Sequence, residues 1–291
     1  CCNRIDTQCG RIWCNVCRPC LWEAAMMPLA TFSDGKNHFA CSQYGGDWAG
    51  PDGDRLTILL GLLKQLPARS LNLHTFEDFL EFTPSVSVQD IIESSTEWRI
   101  DDEASFYLHA SMSNYIVAIT TSQDEPNWPS FDATSYDEEM KEQLQQQWKI
   151  EVEGVSQGAY VSQAQHTIAT PSRLGLKAQV DRQQLVWPPR QLNATGERIE
   201  SASEQLSETA TILTWTRLSA AGAPSEFSGR APILDGVSTV LVQFPEGPKG
   251  VFMLADDERK EPAIDASVRF DVRRLYGQDG MMHYGLKAML L

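Results

Sequence analysis

Past Cys41 the chain contains no cysteine, and the six others crowd into residues 1–20. A secreted disulfide framework spreads its bridges through the fold, so this clustering argues against one. Apolar runs are short as well. The longest, residues 56–63, is interrupted by Thr57 and Gly61, whereas a membrane-crossing helix needs ~20 apolar residues. With no leader pattern in view, the expectation is a cytoplasmic protein without a membrane partner. Positive charge is scarce: 24 Lys and Arg stand against 39 Asp and Glu, a net charge of -15. Phosphate neutralisation needs a basic surface, so nucleic acid is not expected as a partner. Catalytic motifs are missing too. The histidines are scattered, and no H-E-x-x-H, G-x-S-x-G or Walker loop occurs. The GGDWAGPDG segment at 45–53 lacks the preceding strand that a dinucleotide fingerprint requires.

What is present suffices for real cores: 42% of 291 residues are hydrophobic, a length that fits roughly two domains. The acidity is uneven. Residues 1–170 carry 10 basic and 24 acidic side chains, residues 171–291 carry 14 and 15, which sets a boundary near Pro171. Residues 1–50 read as irregular. RLTILLGLLKQL at 55–66 reads as a buried helix stopped by Pro67. Short helices are expected at 75–82 and from 88 to 94, and a buried strand within 106–121, where YIVAITT lies. Residues 124–135 form a loop around Pro126 and Pro129, 136–148 a polar helix, 149–155 (KIEVEGV) an alternating strand, and 156–172 a polar linker. The last part changes character. Five strand-like runs, at 209–218, 237–244, 250–255, 267–275 and 282–288, are separated by turn clusters such as PEGPKG and YGQDG. Five short strands in about 80 residues predict a small barrel of OB type, because closure removes exposed edges.

Cys9, Cys14, Cys17 and Cys20 form a C-x4-C-x2-C-x2-C run dense enough to ligate a metal. Zinc is expected ahead of an iron–sulfur cluster: four-cysteine structural sites are common, and no ferredoxin-like sequence accompanies the run. The alternative is that these cysteines are small buried hydrophobes or unpaired thiols. His38 and Cys41 are near neighbours, but catalytic Cys/His pairs are rarely adjacent in sequence.

A more specific pattern runs through residues 176–291. It comprises LVWPPR at 185–190, a T-x-T strand at 214–216, an APSEF loop, RAPILDGVSTVLVQFPEGPKGVFMLAD, and the terminal VRFDVRRLYGQDGMMHYGLKAML. Order, spacing and turns resemble the zinc-ribbon/OB-fold family of acyl-CoA-associated, thiolase-partner proteins. Family ribbons carry two C-x-x-C pairs around the P-P-R motif. Here those positions fall on Gln179, Arg182, Asn193 and Gly196, so the ribbon is degenerate and has no zinc ligands. The resemblance implies an α+β N-terminal region of unassigned fold at 1–170, a rubredoxin-like degenerate ribbon with a connecting helix at 171–208, and a five-stranded OB-type β-barrel at 209–291. It implies a non-catalytic accessory subunit whose partner is a thiolase-fold enzyme (thiolase, aldolase or hydroxymethylglutaryl-CoA synthase) and whose ligand is acyl-CoA. The partner or acyl-CoA surface would comprise Trp187, Pro188, Pro189, Arg190, Phe227 and Arg230, since a guanidinium can fork onto phosphate and an aromatic can stack on adenine. The bland reading makes Arg190 and Arg230 solvated charges and Phe227 loop packing. Two other functions stay open: a metal- or iron–sulfur-binding protein acting through the N-terminal cysteines, and an acyl-CoA enzyme with its chemistry in residues 1–170.

Overall fold

The computed structural model describes residues 29–155, 163–199 and 202–291. Strands β1 (Leu29–Ser33) and β2 (His38–Ser42) pair antiparallel, so the described part of the stretch expected to be irregular holds a hairpin. Helix α1 (Arg55–Gln65) follows, close to its expected bounds. Asp54 caps it: its side chain accepts from Thr57 N at 2.9 Å, and its own N–H donates to Thr57 Oγ1 at 2.8 Å. These two bonds satisfy otherwise orphaned groups of the first turn. Leu66 ends the helix in extended conformation ahead of Pro67, which cannot donate to the ladder. All eight residues from 56 to 63 are buried, so the helix needs apolar cover on every side.

Next come β3 (Ser70–Leu71), a 3-10 turn at Phe76–Phe79, β4 (Thr83–Pro84), α2 (Val88–Ser95) and β5 (Arg99–Ile100). The region expected to hold one strand holds two, β6 (Tyr107–Ala110) and β7 (Val117–Thr120), which form a four-stranded antiparallel sheet in the order β1-β2-β7-β6. Helix α3 (Glu138–Glu153) runs on through residues expected to be a strand. Its buried residues, Leu144, Trp148, Glu151 and Val152, recur at helical spacing; the alternation of KIEVEGV fitted a period of two only locally. Helix α4 (Gln163–Gly175) occupies the described part of the expected linker and carries Pro171 inside it. Packing against α2 and the last strand of the chain overrides the proline there.

Strands β8 (Lys177–Asp181), β9 (Gln184–Val186) and β10 (Ser203–Gln205) make a small sheet in the order β10-β8-β9. The β8–β9 loop is two residues long, and Arg182 and Gln183 both take the positive φ that such hairpins demand. No helix follows Gly175 in this part among the described residues, where a connecting helix was expected. Then come β11 (Thr209–Leu218), the short α5 (Ser225–Ser228), β12 (Val237–Gln243), β13 (Lys249–Met253), β14 (Ser267–Gln278) and β15 (Met281–Leu290). All five expected strands are present. They lie in one sheet, in the order β13-β12-β11-β14-β15, with β4 added parallel to β15.

The sheet curls until its first and fifth strands touch. Leu254, just past β13, bridges Ala288 in parallel, and Ala255 N donates to Ala288 O at 2.9 Å. A closed barrel is not formed among the described residues. One edge of β15 pairs with β14; the other is shared between this single bridge and β4, which takes Met281 and Met282.

Apolar packing joins the two halves. Helix α1 contacts β2 and β7 on one side and β14 on the other. A single cluster of buried side chains runs from Ala40 and Leu56 through Trp148 to Phe270 and Tyr284. Burial of one large apolar side chain contributes about 1.5–3 kcal/mol, so α1 alone anchors much of the fold. A buried ionic network follows the same seam. Lys287 Nζ donates to Asp52 Oδ2 (2.8 Å) and Asp256 Oδ1 (2.6 Å). Arg230 bonds Asp256 Oδ2 (2.9 Å), Glu151 Oε1 (2.8 Å) and the carbonyl of Leu275 (2.6 Å). Tyr284 donates to the cap residue Asp54 at 2.5 Å.

Candidate functional site

The segment after β9 passes back over the curled sheet. Trp187 stacks on Phe252 with centroids 5.9 Å apart, beside Phe244 at 6.3 Å, and Phe252 lies 4.5 Å from Phe270. Gly250 on β13 makes room for it: a Cβ there would sit 2.8 Å from Trp187 Nε1 and 2.6 Å from Phe252 Cε2, closer than any real contact. On β15, Gly285 plays the same part for α4, since a Cβ would meet Leu275 Cδ1 at 2.5 Å and Arg173 Cγ at 3.2 Å. Two glycines on the strands thus leave room for an indole over β13 and, over β15, for Leu275 and the side-chain stem of Arg173.

Between them lies a cavity of about 520 Å³. Leu241, Phe252, Leu275 and Leu286 line it from the sheet, Trp187, Pro188 and Pro189 from the overlying segment, and Ala169, Ser172 and Arg173 from α4. Val251 and Lys249, both exposed, complete the lining with Gly250. An apolar hollow of this size with a few polar groups is the usual form of a small-molecule site. Among the described lining residues there is no histidine, cysteine or carboxylate. Burial strips hydration from the Arg173 guanidinium and lowers its pKa, an effect opposed by the charge of Tyr276. A smaller hollow of about 200 Å³ is lined by Arg217, Asp235, Asp256, Glu258 and Arg259, and two of its acids are already engaged: Asp256 by Arg230 and Lys287, Glu258 by backbone N–H groups.

Of the six residues singled out in the sequence, three meet in the large cavity: Trp187, Pro188 and Pro189. Arg190 follows them and is exposed; its N–H donates to Gln179 Oε1 at 2.9 Å. Phe227 and Arg230 lie elsewhere. Phe227 packs edge-on to Tyr276. Arg230, expected at the surface, is fully buried, its guanidinium 3.9 Å from the Trp148 ring and bonded to Glu151 and Asp256. Those two acids sit 79 and 26 residues away in sequence, which is why the chain alone did not reveal its placement. Arg173 lies outside every segment quoted from the sequence, and Lys249, Leu241 and Leu286 lie within those segments without being singled out as site residues.

The positions that the resemblance assigns to ribbon ligands are held by polar contacts. Glu197 accepts from Arg182, from Asn193 Nδ2 at 3.0 Å and from Thr195 Oγ1 at 3.0 Å, while Asn193 Oδ1 accepts from Thr195 N and Glu197 N, both at 3.0 Å. The bonds from Asn193 and Thr195 lower the Glu197 pKa below its ordinary range. The candidate metal ligands Cys9, Cys14, Cys17 and Cys20 lie outside the described residues. Among the described residues no group of three or more His, Cys, Asp or Glu could hold a metal ion. Cys41 is buried, and burial pushes its thiol up to about 12, so it is no ready nucleophile. His109 is likewise buried; burial lowers its pKa, and its Nε2 faces Thr120 Oγ1 at 3.1 Å and Ser122 O at 3.0 Å.

The chain matches no protein-family model and no curated protein. Among solved structures it is similar to "Ltp2-ChsH2(DUF35) aldolase". That likeness covers 45% of this chain and 98% of that chain, with 14% identity and a TM-score of 0.31. No described helix is long and apolar enough to cross a membrane.

Proposed function

We propose that this protein is a non-catalytic accessory subunit of a thiolase-superfamily acyl-CoA enzyme, assisting assembly of its partner or passage of acyl-CoA. In this reading, residues 171–208 hold a metal-free ribbon and residues 209–291 are an OB-type module. The observation that carries it is the cavity under Trp187, Pro188 and Pro189, the motif residues that first pointed to the family. An apolar hollow suits the acyl or pantetheine part of the ligand, and cationic side chains suit its phosphates. Among the described lining residues no nucleophile is paired with a base, which fits a module that binds while another chain reacts.

The test is a pull-down of the full chain from its native organism, read by mass spectrometry. Recovery of a thiolase-fold enzyme in stoichiometric amount is the expected result. Repeated recovery of the chain with no acyl-CoA enzyme would sink the reading.

A further inference from the structure

The smaller cavity lies where the inner face of the curled sheet runs out. Trp215 pairs with Val240 and Val240 with Phe252, and the valine and phenylalanine are buried. Two residues further along, Arg217 pairs with Ser238, and Leu254 N donates to Ser238 O at 2.9 Å. Side chains on a strand alternate with a period of two, and directly paired residues share a face. Arg217, Ser238 and Leu254 therefore continue that inner face to its end, and all three line the cavity.

Two contacts place the Arg217 guanidinium. Its Nε donates to Ser238 Oγ at 3.1 Å. Its stem crosses Gly236, where φ is +104° and a Cβ would meet Arg217 Cγ at 2.7 Å. Both Nη atoms are left without a hydrogen bond among the described residues. Arg259 and Lys260, from the segment after β13, line the same cavity, and neither is in an ion pair among the described residues. The acids of the lining are more committed. Asp256 accepts from Arg230 and Lys287, and the two oxygens of Glu258 accept from Lys260 N and Leu290 N. Asp235 alone of the three has no partner among the described residues. The walls thus offer more unused donors than acceptors. The acids do not gather as a cation site among the described residues.

We infer that this cavity binds one phosphate group, free or as the end of a phosphomonoester, with the two Nη atoms of Arg217 on its oxygens and Arg259 and Lys260 adding charge. A guanidinium held by its Nε presents its remaining donors as a fork, which matches two oxygens of a phosphate. The volume of about 200 Å³ is roughly seven times the ~30 Å³ share of one water, so its walls lie within reach of a single small ion. The site shares no lining residue with the larger cavity and needs no partner enzyme.

The experiment is calorimetric titration of the full chain, in a phosphate-free buffer of low ionic strength, with inorganic phosphate, glycerol 2-phosphate and glycerol. At least one of the two phosphates is expected to saturate a single site, and the tighter of them identifies the source; glycerol should give no binding. Arg217→Gln and Lys260→Gln should each weaken phosphate roughly tenfold, the loss expected for a hydrogen bond to a charged group. Asp235→Asn removes the opposing charge, keeps a residue that tolerates the φ of 56° at that position, and should tighten binding several-fold. All three positions are exposed, so the variants should keep the parent's urea midpoint. The lysine variant carries the test where the arginine variant lowers that midpoint. Absence of saturable binding by both phosphates would overturn the inference. So would parental affinity in Arg217→Gln at an unchanged midpoint, or glycerol binding as tightly as its phosphate.

Discussion

Lys287 Nζ donates to Asp52 Oδ2 at 2.8 Å, tying the last strand to the loop before α1 across 235 residues of sequence. Both side chains are essentially without solvent contact, and Arg273 stands 3.9 Å from the other Asp52 oxygen. An ion pair in such a place adds little net stability when complete, but breaking it leaves a stranded charge.

Lys287→Met should therefore lower unfolding stability by about 3–5 kcal/mol, read from urea denaturation at neutral pH. The pair also makes stability depend on acid. Burial alone would raise the Asp52 pKa, but Lys287 and Arg273 outweigh it and hold the carboxyl at about 2. An unfolded aspartate titrates near ~3.9. The lowered folded value means that the Asp52 contribution is complete above about pH 4 and is lost as pH falls towards 2. The urea midpoint of the unaltered protein should drop through that window, and the Lys287→Met midpoint should drop less. A variant midpoint that falls as steeply as the parent's would remove Asp52 from the explanation.

Gly250→Ala should push Trp187 off Phe252, because no side-chain rotation relieves a 2.6 Å approach to an aromatic ring packed on both sides. Overpacking of this kind costs about 1–3 kcal/mol. The expected readout is a shift in tryptophan emission with weaker ligand binding. Unchanged emission would mean that the indole does not rest on the strand.

Arg230→Met should cost about 3–5 kcal/mol, since Glu151 and Asp256 both lose their guanidinium. A solvated arginine would lose almost nothing on the same substitution. The size of the change in urea midpoint therefore distinguishes a buried junction from a surface contact.

Serine replacement of Cys9, Cys14, Cys17 and Cys20 together should yield a protein without bound zinc, because Gln179, Arg182, Asn193 and Gly196 supply no thiolate or imidazole. Elemental analysis of the purified variant checks this, and stoichiometric residual zinc would refute it. The same ribbon has its own acid response. With the Glu197 pKa lowered by Asn193 and Thr195, its stabilising bonds hold above the ordinary glutamate range and are lost as pH falls below it. Amide protection factors around residues 193–197, taken against the intrinsic exchange rate at each pH, should fall on acidification, and Glu197→Gln should flatten that response.

Periodicity explains what the sequence made legible. The all-apolar run of α1 and the five strands after residue 208 carry signals that outweigh their context, and each lies within a few residues of its expected place. Residues 149–153 had two periods superimposed, and the capped start of α3 at Asp137 decided for helix. Pro171 is a breaker by local rules, yet α4 continues through it, because contacts with α2 and β15 are invisible in one dimension. The site divides in the same way. Trp187, Pro188 and Pro189 were legible through a contiguous motif, whereas Arg173 and Lys249, 76 residues apart, line the same cavity only in the folded chain.

Helix α1 is a wedge held by both halves of the molecule, and wedges work in two directions. Lifting out residues 171–291 as a separate piece would uncover the inner flank of β14 and, with α4, that of β15. The piece left behind would present a greasy rod, residues 56–63, stripped on one side. Neither fragment would be a miniature of the parent, since each half serves as the raincoat of the other.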